Sequence, residues 1–175
     1  MGFTERLHCN EISSQRVIEK YQNNSPKLIE VKNNSSDLIK YIGLYENGKK
    51  EFEVNGQNQI AVGEKIIFNE AGNVIQIDSI KSNNCLISDC CCKEMSITRF
   101  DNKGKKIEYL QKSNGQFNGF TFKFDKKGQK NEGIFKNGKK EGIWKIYLPN
   151  NKLKMIRTYK AVSYTHLTLP TIYSV

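Results

Sequence analysis

The residues best suited to nucleophilic, redox or metal chemistry in this 175-residue chain are its five cysteines and two histidines. Four cysteines crowd into one stretch, Cys85-Leu86-Ile87-Ser88-Asp89-Cys90-Cys91-Cys92. Thiolates bind zinc well, and Cys85, Cys90 and Cys92 are the metal candidates. A closed zinc site, however, usually shows two short Cys knuckles or nearby histidines, and no second knuckle or His follows here. Adjacent cysteines on an extended strand point to opposite faces, so Cys90 and Cys92 can share a face with Cys91 turned away. Three states are open to the cluster: a metal site, a disulfide such as Cys85 to Cys90 in an exported protein, or free thiols in a cytosolic strand or loop. Cys9 leaves an odd total and decides nothing.

Catalysis finds little else to work with. His166 falls in a tail set aside below, which leaves His8 as a single candidate base in a polar stretch with no partner motif. Acidic residues such as Glu132 and Glu141 sit among lysines at turns, a pattern expected of solvated cross-strand pairs. No phosphate-cradling glycine loop is present, because hairpin turns account for the glycines. The expectation is a protein that is not an enzyme and needs no cofactor.

Aromatic side chains and lysines are the remaining candidates. Trp144, Tyr147, Phe120 and Phe124, with Lys139 and Lys140, are the residues expected to bind a partner, since exposed aromatics often anchor interfaces. The competing role for the aromatics is the stacking core of the fold. Charge is divided unevenly. Residues 1–98 carry 11 Lys/Arg against 13 Asp/Glu, whereas residues 99–175 carry 17 against 5. A basic half of that size attracts an acidic protein, anionic lipid or nucleic acid through screened, long-range steering. Lysines spread along turns also keep β-edges soluble. Nucleic acid is the weakest of these partners, since no RNP-like signature accompanies the aromatics.

The elements that must position these residues are legible as turns. Asp101-Asn102-Lys103-Gly104, Ser113-Asn114-Gly115, Asp125-Lys126-Lys127-Gly128, Lys136-Asn137-Gly138 and Pro149-Asn150-Asn151 recur about every dozen residues. Asn-Gly suits a type I′ hairpin turn, and Asp-x-x-Gly suits a type I turn closed by a left-handed residue. Gly104, Gly115, Gly128, Gly138 and Asn151 are therefore the structural turn positions. Between turns, Phe120, Phe122 and Phe124 alternate with Thr121 and Lys123, the period of a half-buried strand. A copy beginning at Gly115 superposes on one beginning at Gly138 with an offset of 23 residues, aligning Phe120 with Ile143, Phe124 with Tyr147 and Gly128 with Asn151. The spacings Gly48 to Gly72 and Gly104 to Gly128 are both 24. The predicted fold is all-β, an open meander of antiparallel hairpins.

Glu141-Gly142-Ile143-Trp144-Lys145-Ile146-Tyr147, with Asn118-Gly119-Phe120-Thr121-Phe122-Lys123-Phe124 and Asn131-Glu132-Gly133-Ile134-Phe135, resembles the bacterial variant of the MORN repeat found in YwqK-family antitoxins. Thr121 stands where that family tends to have Trp. The resemblance covers residues 99–160, and residues 99–161 read as the MORN-like repeat region. It implies a scaffold or antitoxin-like protein that works by contact with another protein, such as an acidic toxin. Peripheral binding of anionic phospholipid and an exported cell-surface repeat protein are the alternatives. Residues 41–98 read as degenerate copies that keep the turns at Gly48 and Gly72 but lose the Gly-aromatic strand. Residues 1–40 read as an irregular or partly helical lead-in or cap. Residues 162–175 resemble translated sequencing adapter, so they are left out of the fold. No apolar run approaches the ~20 residues that span a bilayer, and no secretory signal is visible at the start. The expected location is cytoplasmic, or exported if the sequence begins inside the gene.

Overall fold

The computed structural model describes residues 12–33, 39–81, 85–87 and 92–160. They form one antiparallel sheet of 13 strands: β1 (Ile12–Lys20), β2 (Pro26–Asn33), β3 (Ile39–Leu44), β4 (Lys50–Gln57), β5 (Ile60–Phe68), β6 (Val74–Ile80), β7 (Met95–Phe100), β8 (Lys106–Ser113), β9 (Gln116–Phe117), β10 (Gly119–Phe124), β11 (Lys130–Lys136), β12 (Lys139–Tyr147) and β13 (Leu153–Tyr159). Each strand lies beside its sequence neighbour, except that the short β9 pairs only with β8 and β10 continues on the same side. The sheet is an open meander, and the described residues contain no helix. The lead-in is correspondingly not helical where it is described. β1 and β2 form a hairpin whose register runs from Ile12 opposite Asn33 to Lys20 opposite Pro26.

Turn chemistry builds this meander. At one end of the sheet six turns share one hydrogen-bond pattern. In the turn after β3, the Tyr45 N–H donates to the Lys49 carbonyl (2.8 Å) and the Gly48 N–H donates to the Tyr45 carbonyl (2.9 Å). The same pair of bonds closes the turns at Asn24, Gly72, Gly104, Gly128 and Asn151. All six of these residues have positive φ, which only Gly and Asn adopt readily. At the opposite end, two-residue turns place Asn58, Asn114 and Asn137 in the left-handed region, as type I′ hairpins require.

A second device recurs inside the strands. Five residues after each of those asparagines stands a glycine with positive φ: Gly63, Gly119 and Gly142. Pairing slips beside each one, between Val54/Asn55 and β5, between β9 and β10 along β8, and between Glu132/Ile134 and β12. Each slip moves the register by two residues, so alternation of faces survives the bulge. The repeat therefore extends into the first half of the chain. There Gly63-Glu64-Lys65-Ile66-Ile67-Phe68 retains the glycine and the closing aromatic that the sequence had suggested were lost, with Lys65 at the place of Trp144.

The two faces of the sheet differ. One, the covered face, holds the core: Leu28, Tyr41, Val54, Ala61, Met95 and Ile97, packed with Cys85, Ile87 and Cys92. The last three belong to the connection between β6 and β7, where the spacing Gly72 to Gly104 is 32 residues instead of 24. The described part of this extra segment, residues 85–87 and 92 and here the strap, folds back over the β4–β5 hairpin. The Ala61 N–H donates to the Cys85 carbonyl (2.7 Å), and the Ile87 N–H donates to the Gln59 carbonyl (3.0 Å). Tyr41 and Val54, the largest fully buried side chains, lie on this face. The second, open face has no such layer among the described residues.

Candidate functional site

The residues singled out from the sequence divide between the two faces. Register fixes the division, because directly opposed residues share a face. Phe120, Phe124 and Tyr147 lie on the open face, where Phe120 opposes Ile134, Phe124 opposes Lys130, and Lys130 opposes Tyr147. Lys139, opposite Lys136, is on that face too. Trp144 and Lys140 lie on the covered face, Lys140 opposite Phe135 and Trp144 opposite Arg157.

On the covered side Trp144 is core, only 6% exposed. Its ring lies on Gly133, where a Cβ would fall inside the indole. Phe135 and Tyr159 meet it edge-on, with ring centroids 5.2 and 6.0 Å away. The indole N–H donates to the Ile134 carbonyl (3.2 Å). Lys140 Nζ stands 4.1 Å above the indole centroid and 5.1 Å from that of Tyr159, which fixes the ammonium by cation–π attraction. Lys65 repeats the motif over Phe52 at 4.1 Å, and Phe52 in turn covers Gly43.

Further along the same face runs a polar ladder that sequence reasoning did not find. The Gln76 amide donates to Asp78 (2.7 Å), and Arg99 Nε donates to Gln76 Oε1 (2.8 Å). The Arg99 guanidinium also pairs with Glu108, and Lys123 approaches Glu108 from the other side at 2.9 Å. Burial works against ionisation of Glu108, yet the hydrogen bonds from Lys123 and Arg99 outweigh it and hold its carboxyl below the ordinary glutamate value. Asp78 goes the other way. Burial pushes its carboxyl up despite the Gln76 hydrogen bond and the charges of Lys65 and Arg99. The signal in the sequence was faint, since these residues come from four strands and share no motif. Only register brings them into line.

The open face of the last four strands carries an apolar stripe set among lysines and glutamates. Phe120, Phe122 and Phe124 stack along β10 with Tyr109 beside them, centroids 6.1 to 6.4 Å apart. The sequence left two roles open to this stripe, partner anchor or stacking core. Thr121, on the other face, is the buried residue of β10, its hydroxyl donating to the Tyr109 carbonyl (2.7 Å), while Phe120 is 44% exposed. Ile134, Ile143, Leu153 and Ile156 are exposed as well. Among the described residues, Val17, Val62, Leu86 and Phe117 are the large exposed apolar side chains that lie outside this face. Tyr147 donates to Glu132 (2.9 Å), which also pairs with Lys130 at 2.7 Å.

The cysteine cluster takes a form that none of the specific pairings anticipated. Cys85 and Cys92 are disulfide-bonded, with Cα atoms 4.8 Å apart, inside the usual range for such a bridge. This replaces the Cys85 to Cys90 pairing and removes Cys85 and Cys92 as metal ligands. Hydrogen bonds with Gln59 and Ala61 hold the Cys85–Ile87 arm on the sheet, and the Lys81 N–H donating to the Glu94 carbonyl (2.9 Å) brings the two ends of the connection together. No group of His, Cys, Asp or Glu able to hold a metal occurs among the described residues. Cys9, Cys90, Cys91, His8 and His166 lie outside them, as does the adapter-like tail. Two shallow, open grooves lie by Lys40, Glu53 and Glu64 and by Lys50, Phe68 and Glu70. No helix among the described residues is long and apolar enough to cross a membrane.

No protein-family model matches the chain, and no curated protein or solved structure is similar to it. The resemblance to MORN-type repeats therefore rests on the repeat residues themselves.

Proposed function

We propose that this chain is a MORN-like scaffold that acts by protein–protein contact, with no chemistry of its own and no cofactor, in the manner of an antitoxin that masks an acidic partner. The observation that carries this reading is the open face of β10–β13, where exposed apolar side chains gather on one surface of the strongly basic half. Isolated exposed apolar residues are ordinary, whereas a contiguous patch marks a contact surface. The surrounding lysines favour an acidic partner by steering and by charge complementarity.

The bonded Cys85 and Cys92 favour a second reading of location, an exported repeat protein in an oxidising compartment, over the cytoplasmic one. Thiol counting on native protein separates them, because free Cys85 and Cys92 would return the chain to the cytoplasm. The functional reading is tested by purifying the native complex and rebuilding it from isolated components. A stoichiometric protein complex that weakens with salt is the expected result. Association with phosphatidylserine vesicles in place of any protein would replace the scaffold by a peripheral lipid binder.

A further inference from the structure

Resting on that contact reading, we propose that the open face of β10–β13 is the docking surface, and that its occupant is an extended acidic segment of a partner protein that alternates carboxylates with apolar residues. Three observations converge on this occupant.

The first is shape. Phe120 and Ile134 are directly opposed, and Ile134 opposes Glu141. Ile143 follows two residues on along the same face, and Ile156, opposite Lys145, completes an oblique stripe across four strands. Adjacent strands are about 4.8 Å apart, so the stripe matches the width of an extended segment lying across it. Ile143 is 59% exposed, the most open apolar residue of the group.

The second is an opposed like-charge pair. Lys136 and Lys139 face each other across the Asn137-Gly138 turn at the tip of the stripe. Like charges directly opposite in a sheet are destabilising, and neither lysine forms an ion pair with a described carboxylate. A partner carboxylate between them relieves the repulsion.

The third is the overall balance of 17 Lys/Arg against 5 Asp/Glu in residues 99–175, which opposes stacking this face on a second copy of itself.

The test uses the full chain and a fluorescein-labelled synthetic peptide alternating Glu with Ile, compared with matched peptides alternating Lys with Ile and Glu with Ser, read by anisotropy. The Glu–Ile peptide is expected to bind and the other two to bind at least about tenfold more weakly. Ile143→Asp and the pair Lys136→Glu/Lys139→Glu should each cost about tenfold or more, with far-UV circular dichroism unchanged. Lys152→Glu, in a turn at the other end of the sheet, should leave affinity as it is. Equal binding of the Lys–Ile peptide, or indifference to Ile143→Asp, overturns the proposal. So does a dimer in sedimentation that Ile143→Asp abolishes, which assigns the face to a second copy. If the native partner of the preceding section binds the Ile143→Asp chain unchanged, the contact function stands and this docking face falls.

Discussion

The two halves of the sheet repeat the same hairpin and stabilise it differently. In β3–β7 the covered face acquires a second layer, the disulfide-bonded strap, beneath which Tyr41 and Val54 are almost wholly buried. In β10–β13 no strap is present among the described residues, and the sheet covers itself. Trp144 lies on Gly133, Phe135 and Tyr159 brace it, and Lys140 closes the top. A single-layer sheet buries too little apolar surface by flat pairing alone. One half solves this with an inserted segment, the other with large rings laid across glycines in the neighbouring strand. Both solutions act on the covered face, and the exposed apolar stripe lies on the open face of the second half.

The comparison can be broken by removing the key residue of each half. Trp144→Ala should cost about 3–5 kcal/mol and release amide protons in β11–β13 while β3–β6 remain protected. Tyr41→Ala should produce the mirror image in hydrogen exchange. Uniform loss of protection from either change would mean that the halves are one cooperative unit, against the nearest-neighbour behaviour expected of a repeat array. The next effect is that of the strap. Cys85→Ser/Cys92→Ser should lose about 2–3 kcal/mol, the loop-closure entropy of a short bridged segment. The loss should appear in β3–β7 and spare Trp144 fluorescence.

Smaller still is the bulge. Gly142→Ala places a side chain at φ 66° and should cost about 1–2 kcal/mol. Gly63→Ala, at the matching position of the strapped half, should cost the same if the two bulges are equivalent. Unequal values in thermal melts would show that the repeat is only approximate.

The smallest effect concerns the polar ladder where the halves join. Glu108 has a folded-state carboxyl below its unfolded value, so its contribution to stability is present above the unfolded value and lost as pH falls through the folded one. Asp78 is shifted upward, so it disfavours the folded state at neutral pH, and that penalty disappears on acidification through the folded value toward the unfolded one. Glu108→Gln should therefore destabilise by about 1 kcal/mol at pH 7, allowing for the exposure of Arg99 and Lys123, with the deficit vanishing in acid. Asp78→Asn should show no such deficit at pH 7. Urea titrations at both pH values check the opposite signs.

The turns were legible because Asn-Gly and Asp-x-x-Gly announce left-handed residues directly. Gly104, Gly128 and Asn151 have φ of 76°, 75° and 63°. Less legible were turns closed without glycine. Asn24 and the Asn58-Gln59 pair adopt positive φ, and neither carries an Asn-Gly signature. The bulge at Gly63 could have been found from its spacing, five residues after Asn58, the same as Asn114 to Gly119 and Asn137 to Gly142. What hid it was Lys65, which occupies a position where a ring was sought. Placing Trp144 and Tyr147 in one stripe failed for a simpler reason. They are three residues apart, and a period of two puts an odd separation on opposite faces. The strap was hidden altogether, because an insertion breaks the repeat without a pattern of its own.

The central claim is that one unbroken antiparallel sheet joins the strapped half to the basic half through β6, β7 and β8. Cross-strand nuclear Overhauser effects between the α-protons or amides of Ile77 and Thr98, and of Thr98 and Tyr109, test it most directly, since these residues are directly opposed in register. Contacts at both pairs are the expected result. Two separately ordered blocks with neither contact, or contacts pairing β13 with β1 in a closed barrel, would contradict it.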